Sequence, residues 1–248
     1  MQELKDKLIV ALDVDTLKRA ERLVNTLYPT VKLFKVGSQL FTACGPEVVR
    51  MIGKKGAKVF LDLKWNDIPN TVFQSVSVGT GLACELVFSN TPSIEYSVRE
   101  VVIPPVFMMT VHIGGGKAML EAAVRGATEK AKELIISKPF IVGVTRLTSD
   151  KNDKNTMGEV LKAAMLAKDA GLDGVVCSAL EVTMIRKEFG KSFLIVTPGI
   201  RPKGYPSNDQ ARVATPEEAI AAGADFLVVG RPILEAKNPL LALEELLA

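Results

Sequence analysis

The stretch that most constrains this chain is residues 59–72, Val-Phe-Leu-Asp-Leu-Lys-Trp-Asn-Asp-Ile-Pro-Asn-Thr-Val. It begins as a buried-looking strand and then places Asp62, Lys64 and Asp67 in quick succession. In a strand, residues two apart share a face, so Asp62 and Lys64 are expected to point the same way. A carboxylate and an ammonium leaving an apolar strand together are costly to bury unless they pair. Pro69 blocks simple continuation of the strand and pre-sets a turn or a helix start. The charges therefore sit at a strand's C-terminal exit.

Apolar, β-branched runs recur along the chain at 8–14, 31–37, 58–63, 107–112, 140–145, 174–178, 193–199 and 226–230. Near-continuous apolar runs suit parallel strands covered on both faces. Between most of them lie helical patterns, at 16–27, 46–52, 117–136, 156–170 and 215–222. Thr215-Pro-Glu-Glu has the cap, the proline and the first-turn acids of a helix N-terminus. Strands alternating with helices in a chain of 248 residues, 48% of them apolar, predict an α/β fold. The expected form is one (β/α)₈ TIM barrel, a single domain over 1–248.

Charge and cysteine content narrow the setting. Lys and Arg number 31 against 28 Asp and Glu, spread together along the chain, which argues against a nucleic-acid partner. Cys44, Cys84 and Cys177 form no C-x-x-C pair and fit reduced thiols of a cytoplasmic protein. The first apolar run is short and broken by Asp13, so no signal sequence is expected, and no apolar span reaches bilayer length. A soluble cytoplasmic protein with no membrane partner is the expectation.

The strand exits carry the chemistry. They present in turn Asp13, Lys35, Asp62 with Lys64, His112, Thr145 with Thr148-Ser149, Ser178, Pro198-Gly-Ile-Arg201, and Gly230-Arg231. In such barrels the C-terminal rim holds the active site. Gly230 would let an anion approach the backbone amides, and Arg231 could grip it bidentately. His112 is the single histidine and reads as a structural rim residue. Gly114-Gly-Gly116 reads as a tight turn, and 151–155 as a solvated loop. Residues 199–207 serve either as a lid or as an ordinary loop.

The run Asp62-Leu-Lys64-Trp-Asn-Asp67-Ile68-Pro-Asn-Thr71 resembles the D-x-K-x-x-D-I-P-N-T signature of the orotidine 5′-phosphate decarboxylases of bacterial type. Ala11-Leu-Asp13, Phe34-Lys35-Val-Gly, residues 144–149, 173–178, 196–201, Asp209-Gln210 and Val229-Gly230-Arg231 are similar to that family in the same order. The resemblance implies a carboxy-lyase that converts orotidine 5′-monophosphate (OMP) to UMP in pyrimidine biosynthesis, with neither metal nor organic cofactor. It implies a charge network of Lys35, Asp62, Lys64 and Asp67 with Lys64 as proton donor. Asp67, Ile68 and Thr71 would lie at a homodimer interface and reach the neighbouring site. Asp13 and Lys35 would contact the ribose, Thr148 and Ser149 the pyrimidine, and Gln210, Gly230 and Arg231 the phosphate. Arg201 matches a further substrate-binding position.

Such chemistry suits such residues. Loss of CO₂ leaves electron density on a ring carbon without an electron sink, and a fixed ammonium both stabilises it and supplies a proton. Flanking carboxylates favour the charged lysine. The segment 64–106 departs from the family pattern, and an atypical insertion at about 77–105 is expected, since its Gly and β-branched content is poor for helix. The rival readings are a related, metal-dependent phosphosugar-barrel lyase and an inactive phosphate-binding barrel.

Overall fold

The computed structural model describes residues 2–82, 86–88, 99–101, 106–146, 155–205 and 213–247. Eight strands form a closed parallel barrel: β1 (Leu8–Ala11), β2 (Leu33–Gly37), β3 (Lys58–Trp65), β4 (Met108–His112), β5 (Phe140–Val144), β6 (Gly174–Val176), β7 (Leu194–Thr197) and β8 (Phe226–Val229). β8 closes on β1 through the register Leu8↔Leu227 to Val10↔Val229. All eight fall on the apolar runs anticipated above.

The helices are α1 (Gln2–Lys7), α2 (Leu17–Leu27), α3 (Ser38–Cys44), α4 (Glu47–Lys54), α5 (Pro69–Gly81), α6 (Gly116–Leu134), α7 (Thr156–Asp169), α8 (Ala179–Phe189), α9 (Pro216–Ala222), α10 (Arg231–Leu234) and α11 (Pro239–Leu247). Local chemistry explains several starts. The Thr16 hydroxyl caps α2 by accepting from the Arg19 N–H, and Thr215 with Glu218 forms a reciprocal capping box on α9. Ser178 and Glu181 form a second box on α8. That Ser-x-x-Glu spacing marks the start of α8 in the sequence even though the helix has weak amphipathic periodicity.

Strand alternation sorts the side chains into two cores. Leu8, Val10, Phe34, Val36, Val59 and Leu61 face the helices. Ile9, Ala11, Leu33, Phe60, Met108, Val142, Val196 and Val228 fill the barrel. Its N-terminal end is plugged by Phe107, which meets Phe140 and Phe226 edge-to-face at centroid distances of 5.3 and 5.8 Å. Lys58 covers the same ring from outside, its Nζ 4.7 Å from the centroid. One end is thus an aromatic stopper, which leaves the other for polar groups.

The segment between β3 and β4 differs from expectation at its start. Residues 77–81, assigned above to the insertion, form the last turn of α5, and that helix packs on the barrel. Its glycines are used rather than merely tolerated. A Cβ on Gly79 would meet Met109 Sδ and Trp65 Cη2, each at 2.8 Å, so α5 lies close against β3 and β4. A Cβ on Gly126 of α6 would meet the Phe73 carbonyl oxygen of α5 at 2.5 Å. Tertiary packing therefore overrides the weak helix propensity of this stretch. Beyond α5, Leu86–Phe88 pairs antiparallel with Arg99–Val101 in a two-stranded sheet separate from the barrel.

Gly126→Ala should destabilise the protein by about 1–3 kcal/mol, because the clash with an immovable backbone oxygen outweighs the helix-propensity gain. A lower midpoint in chemical denaturation, at unchanged slope, checks it.

Candidate active site

At the open end of the barrel, charged side chains stand in a row across neighbouring strands. Asp13 follows β1, Lys35 is inside β2, and Asp62 and Lys64 are inside β3. Lys35 Nζ lies 3.0 Å from Asp13 Oδ1 and 3.5 Å from Asp62 Oδ2. Lys64 Nζ lies 2.8 Å from Asp62 Oδ1. The signs alternate along Asp13, Lys35, Asp62 and Lys64, so each inner charge has an opposite neighbour on both sides.

Burial sharpens these interactions. Asp62 is 8% exposed and Lys35 9%. Burial opposes ionisation of Asp62, yet the Lys35 and Lys64 charges, with hydrogen bonds from Lys64 and Thr110, outweigh it and hold the carboxyl below its ordinary value. Burial likewise opposes the charge on Lys35, but Asp62 and Asp13 together raise its affinity for the proton. Gly37 provides the space, since a Cβ there would sit 2.9 Å from Lys35 Nζ and 3.4 Å from Asp13 Oδ1.

Lys64 reaches Asp62 by an unexpected route. Simple alternation is interrupted: Leu61 pairs with Met109, but Trp65 pairs with Val111, so β3 carries extra residues in a bulge. Lys64 occupies it with φ +50°, a left-handed conformation unusual for a residue with a side chain. Its N–H donates to the Thr110 hydroxyl at 2.8 Å, and that hydroxyl donates to Asp62 Oδ1 at 2.9 Å.

A cavity of about 220 Å³ opens beside this row. Its wall includes Asp13, Lys35, Asp62 and Lys64 together with Arg201, Gly230 and Arg231, and Gly230 stands beside Asp13, since a Cβ there would sit 3.6 Å from Asp13 Oδ2. Phe60, Val144, Val176 and Val228 give it an apolar floor. Gly199, with φ +77°, turns the chain out of β7 ahead of Arg201. Arg201 is buried, donates from Nη1 to its neighbour's carbonyl on Ile200 at 2.8 Å, and stacks over Tyr205. Gly230 caps the short helix that begins at Arg231.

The remaining expected residues sit elsewhere. Asp67 is exposed, and its carboxylate accepts from the Ile68 N–H at 2.6 Å. Ile68 is 65% exposed, and Thr71 is also at the surface. Among the described residues, none of these three lines the cavity. Thr148, Ser149 and Gln210 lie outside the described residues, as do Cys84, residues 206–207 of the candidate lid and 151–154 of the charged loop. His112 Nδ1 accepts from the Gly114 N–H at 3.1 Å, which makes it a cap on the following turn.

Two polar residues of the site, Thr110 and Arg146, carry no sequence motif of their own. Thr110 is the lone polar residue among Met108, Met109 and Val111, with the same strand parity as the barrel-filling Met108. That parity was the available signal. Arg146 lines the cavity and donates from Nη1 to Thr156 Oγ1 at 2.9 Å and to Glu159 Oε2 at 3.1 Å. Nothing in its local sequence marked it.

Residues 6–246 match the family model described as orotidine 5′-phosphate decarboxylase / HUMPS. The orotidine 5′-phosphate decarboxylase of Moorella thermoacetica is 44% identical over 247 residues, covering 96% of this chain and 89% of that protein. That of Syntrophotalea carbinolica is 46% identical over 249 residues, covering 96% and 91%. The crystal structure of orotidine 5′-phosphate decarboxylase from Lactobacillus acidophilus matches with a TM-score of 0.76 at 34% identity, covering 97% of each chain. With this barrel, this row of charges and these relatives, the chain belongs to the orotidine 5′-phosphate decarboxylase / HUMPS family.

Proposed function

We propose that this protein decarboxylates orotidine 5′-monophosphate to uridine 5′-monophosphate, as a carboxy-lyase of pyrimidine biosynthesis that requires neither metal nor organic cofactor. The observation that carries this reading is the Lys64 ammonium, held 2.8 Å from a buried carboxylate at the open end of the barrel. The relatives' names supply the reaction, and the geometry supplies a reason for it.

In the proposed step the bond between the ring carbon and the carboxylate breaks. Carbon dioxide leaves, and the bonding pair stays on the ring carbon. The Lys64 ammonium stabilises that charge and then transfers its proton to the same carbon. Because Asp62 holds the amine before substrate arrives, little reorganisation is needed at the moment of reaction. Asp62 also lies near the departing carboxylate, but preorganised electrostatics, rather than repulsion, is the mechanism adopted.

The far end of the nucleotide does separate work. Gly230, Arg231 and Gln210 would take the phosphate, Asp13 and Lys35 the ribose, and Thr148 and Ser149 the pyrimidine, with Arg201 as a further contact. Supporting this, Arg201, Gly230 and Arg231 share one cavity with Asp13 and Lys35. Binding energy gained at the phosphate can be used to orient the ring against Lys64.

Asp67, Ile68 and Thr71 are assigned to a homodimer interface, where Asp67 would complete the charge row of the neighbouring subunit. The exposure of Ile68, an apolar side chain beside a carboxylate, supports this.

Three outcomes are expected. Lys64→Ala should remain folded by circular dichroism yet release no CO₂ from OMP, whereas the unaltered protein should do so in excess chelator. Residual turnover in the variant would refute the proton-donor role, and loss of turnover on chelation would favour a metal-dependent lyase. Arg231→Ala should weaken binding of UMP by about ten- to a hundredfold, the worth of charge-assisted contacts, and leave uridine unaffected. Equal weakening of both would sink the phosphate assignment. Gel filtration should give twice the chain mass of 26.7 kDa, and a monomer would remove the shared-site reading.

A further inference from the structure

Thr110 takes no part in the assignments above, yet its hydroxyl lies between the two groups on which the proposed chemistry depends. It is fully buried. It accepts the Lys64 N–H at 2.8 Å and donates to Asp62 Oδ1 at 2.9 Å. The same Oδ1 accepts the Lys64 ammonium at 2.8 Å. These contacts close a ring: the Lys64 backbone, the Thr110 hydroxyl, the Asp62 carboxylate and the Lys64 side chain.

A hydroxyl has one proton to give. Here it goes to a carboxylate that can only accept, so the oxygen's lone pairs face the Lys64 N–H. The orientation is therefore forced, and neither bond can be made by reversing the other. The bulge makes this anchor necessary. In a regular ladder the Lys64 N–H would bond a carbonyl of the neighbouring strand, but the register slips between Leu61 and Trp65. Thr110 replaces that missing partner. Without it, a half-buried donor loses its partner at a residue already held at φ +50°, and the left-handed conformation loses the contact that offsets its cost.

We infer that Thr110 is a positioning residue that fixes the strained Lys64 backbone and the Asp62 carboxylate in one geometry, and so aims the proton-donating ammonium. This role rests on the decarboxylase reading for its effect on catalysis. The anchoring itself is a property of the ligand-free protein and is tested separately.

The experiment compares Thr110→Val, close in shape but without the hydroxyl, with Thr110→Ser, which keeps it. On OMP, Thr110→Val should lower kcat by about ten- to a hundredfold, as expected for loss of a hydrogen bond to a charged group. KM should stay unchanged, because the phosphate contacts are remote. Thr110→Ser should restore most of the lost kcat. An unchanged kcat in Thr110→Val, a KM that rises in step with the fall in kcat, or a serine variant no better than the valine would each overturn the role. Thr110→Ala is the second variant should the valine not fold, and the same split is expected.

Amide hydrogen exchange gives the independent readout. The Lys64 N–H should be protected in the unaltered protein and in Thr110→Ser, and exchange faster in Thr110→Val while other β3 amides keep their rates. Unaltered protein that releases no CO₂ would overturn the decarboxylase reading. Equal Lys64 exchange in all three proteins would overturn the anchoring by Thr110 whatever the reaction.

Discussion

The structure turns on one buried carboxylate. Asp62 sits inside the barrel wall where an unpaired charge would cost several kcal/mol. Two ammonium groups and a hydroxyl make its burial tolerable. Its oxygens divide the work: Oδ1 takes Lys64 and Thr110, and Oδ2 faces Lys35. Neighbouring features follow from this demand. Gly37 lacks a side chain where Lys35 must pass, Asp13 balances the far side of Lys35, and β3 bulges so that Lys64 can turn back onto Asp62.

The barrel turns that cluster into a site by separating stability from chemistry along its axis. At the N-terminal end three phenylalanines interlock, with Lys58 over the outer face of Phe107. Two residues beyond the inward Leu33, Phe60 and Met108, the next inward positions of β2, β3 and β4 are Lys35, Asp62 and Thr110. The aromatic end supplies rigid support, while the charged end pairs its groups and leaves a cavity beside them. The exits of β7 and β8, which continue the ring of strands past β1, add Arg201, Gly230 and Arg231 to the same cavity. A ligand that reaches from Lys64 to Arg231 is held at two points, which is the arrangement a reaction needs when binding at one end must orient atoms at the other.

The outer layer shows how weak local preference yields to packing. Residues 69–81 contain Gly79, Gly81 and several β-branched side chains, and by propensity they are poor helix. They form α5 because glycine permits close approach. α5 meets β3 and β4 through Gly79, and α6 meets α5 through Gly126. Propensity compares isolated helices, and this helix is stabilised by what it touches.

Much of the protein was legible in the amino-acid order. Apolar runs located all eight barrel strands, because strands covered on both faces must be apolar throughout. The signature around Asp62 and Lys64 located the charge row, because buried charges must be paired. Helices without strong amphipathic periodicity, such as α3, α8 and α11, leave little trace in the sequence. Thr110 is illegible at that level, because a lone threonine in a strand says nothing until its partner is known. Asp67 belongs to the signature by spacing, yet within one chain its carboxylate caps its own turn at the surface. The sequence by itself determined the alternation of strand and helix and the residue types that carry charge, since both depend on local pattern. Tertiary structure alone decided that β3 would bulge at Lys64, that Thr110 would meet it there and that Asp13 would stand at the end of the row, because each depends on the register of neighbouring strands, which no local pattern contains.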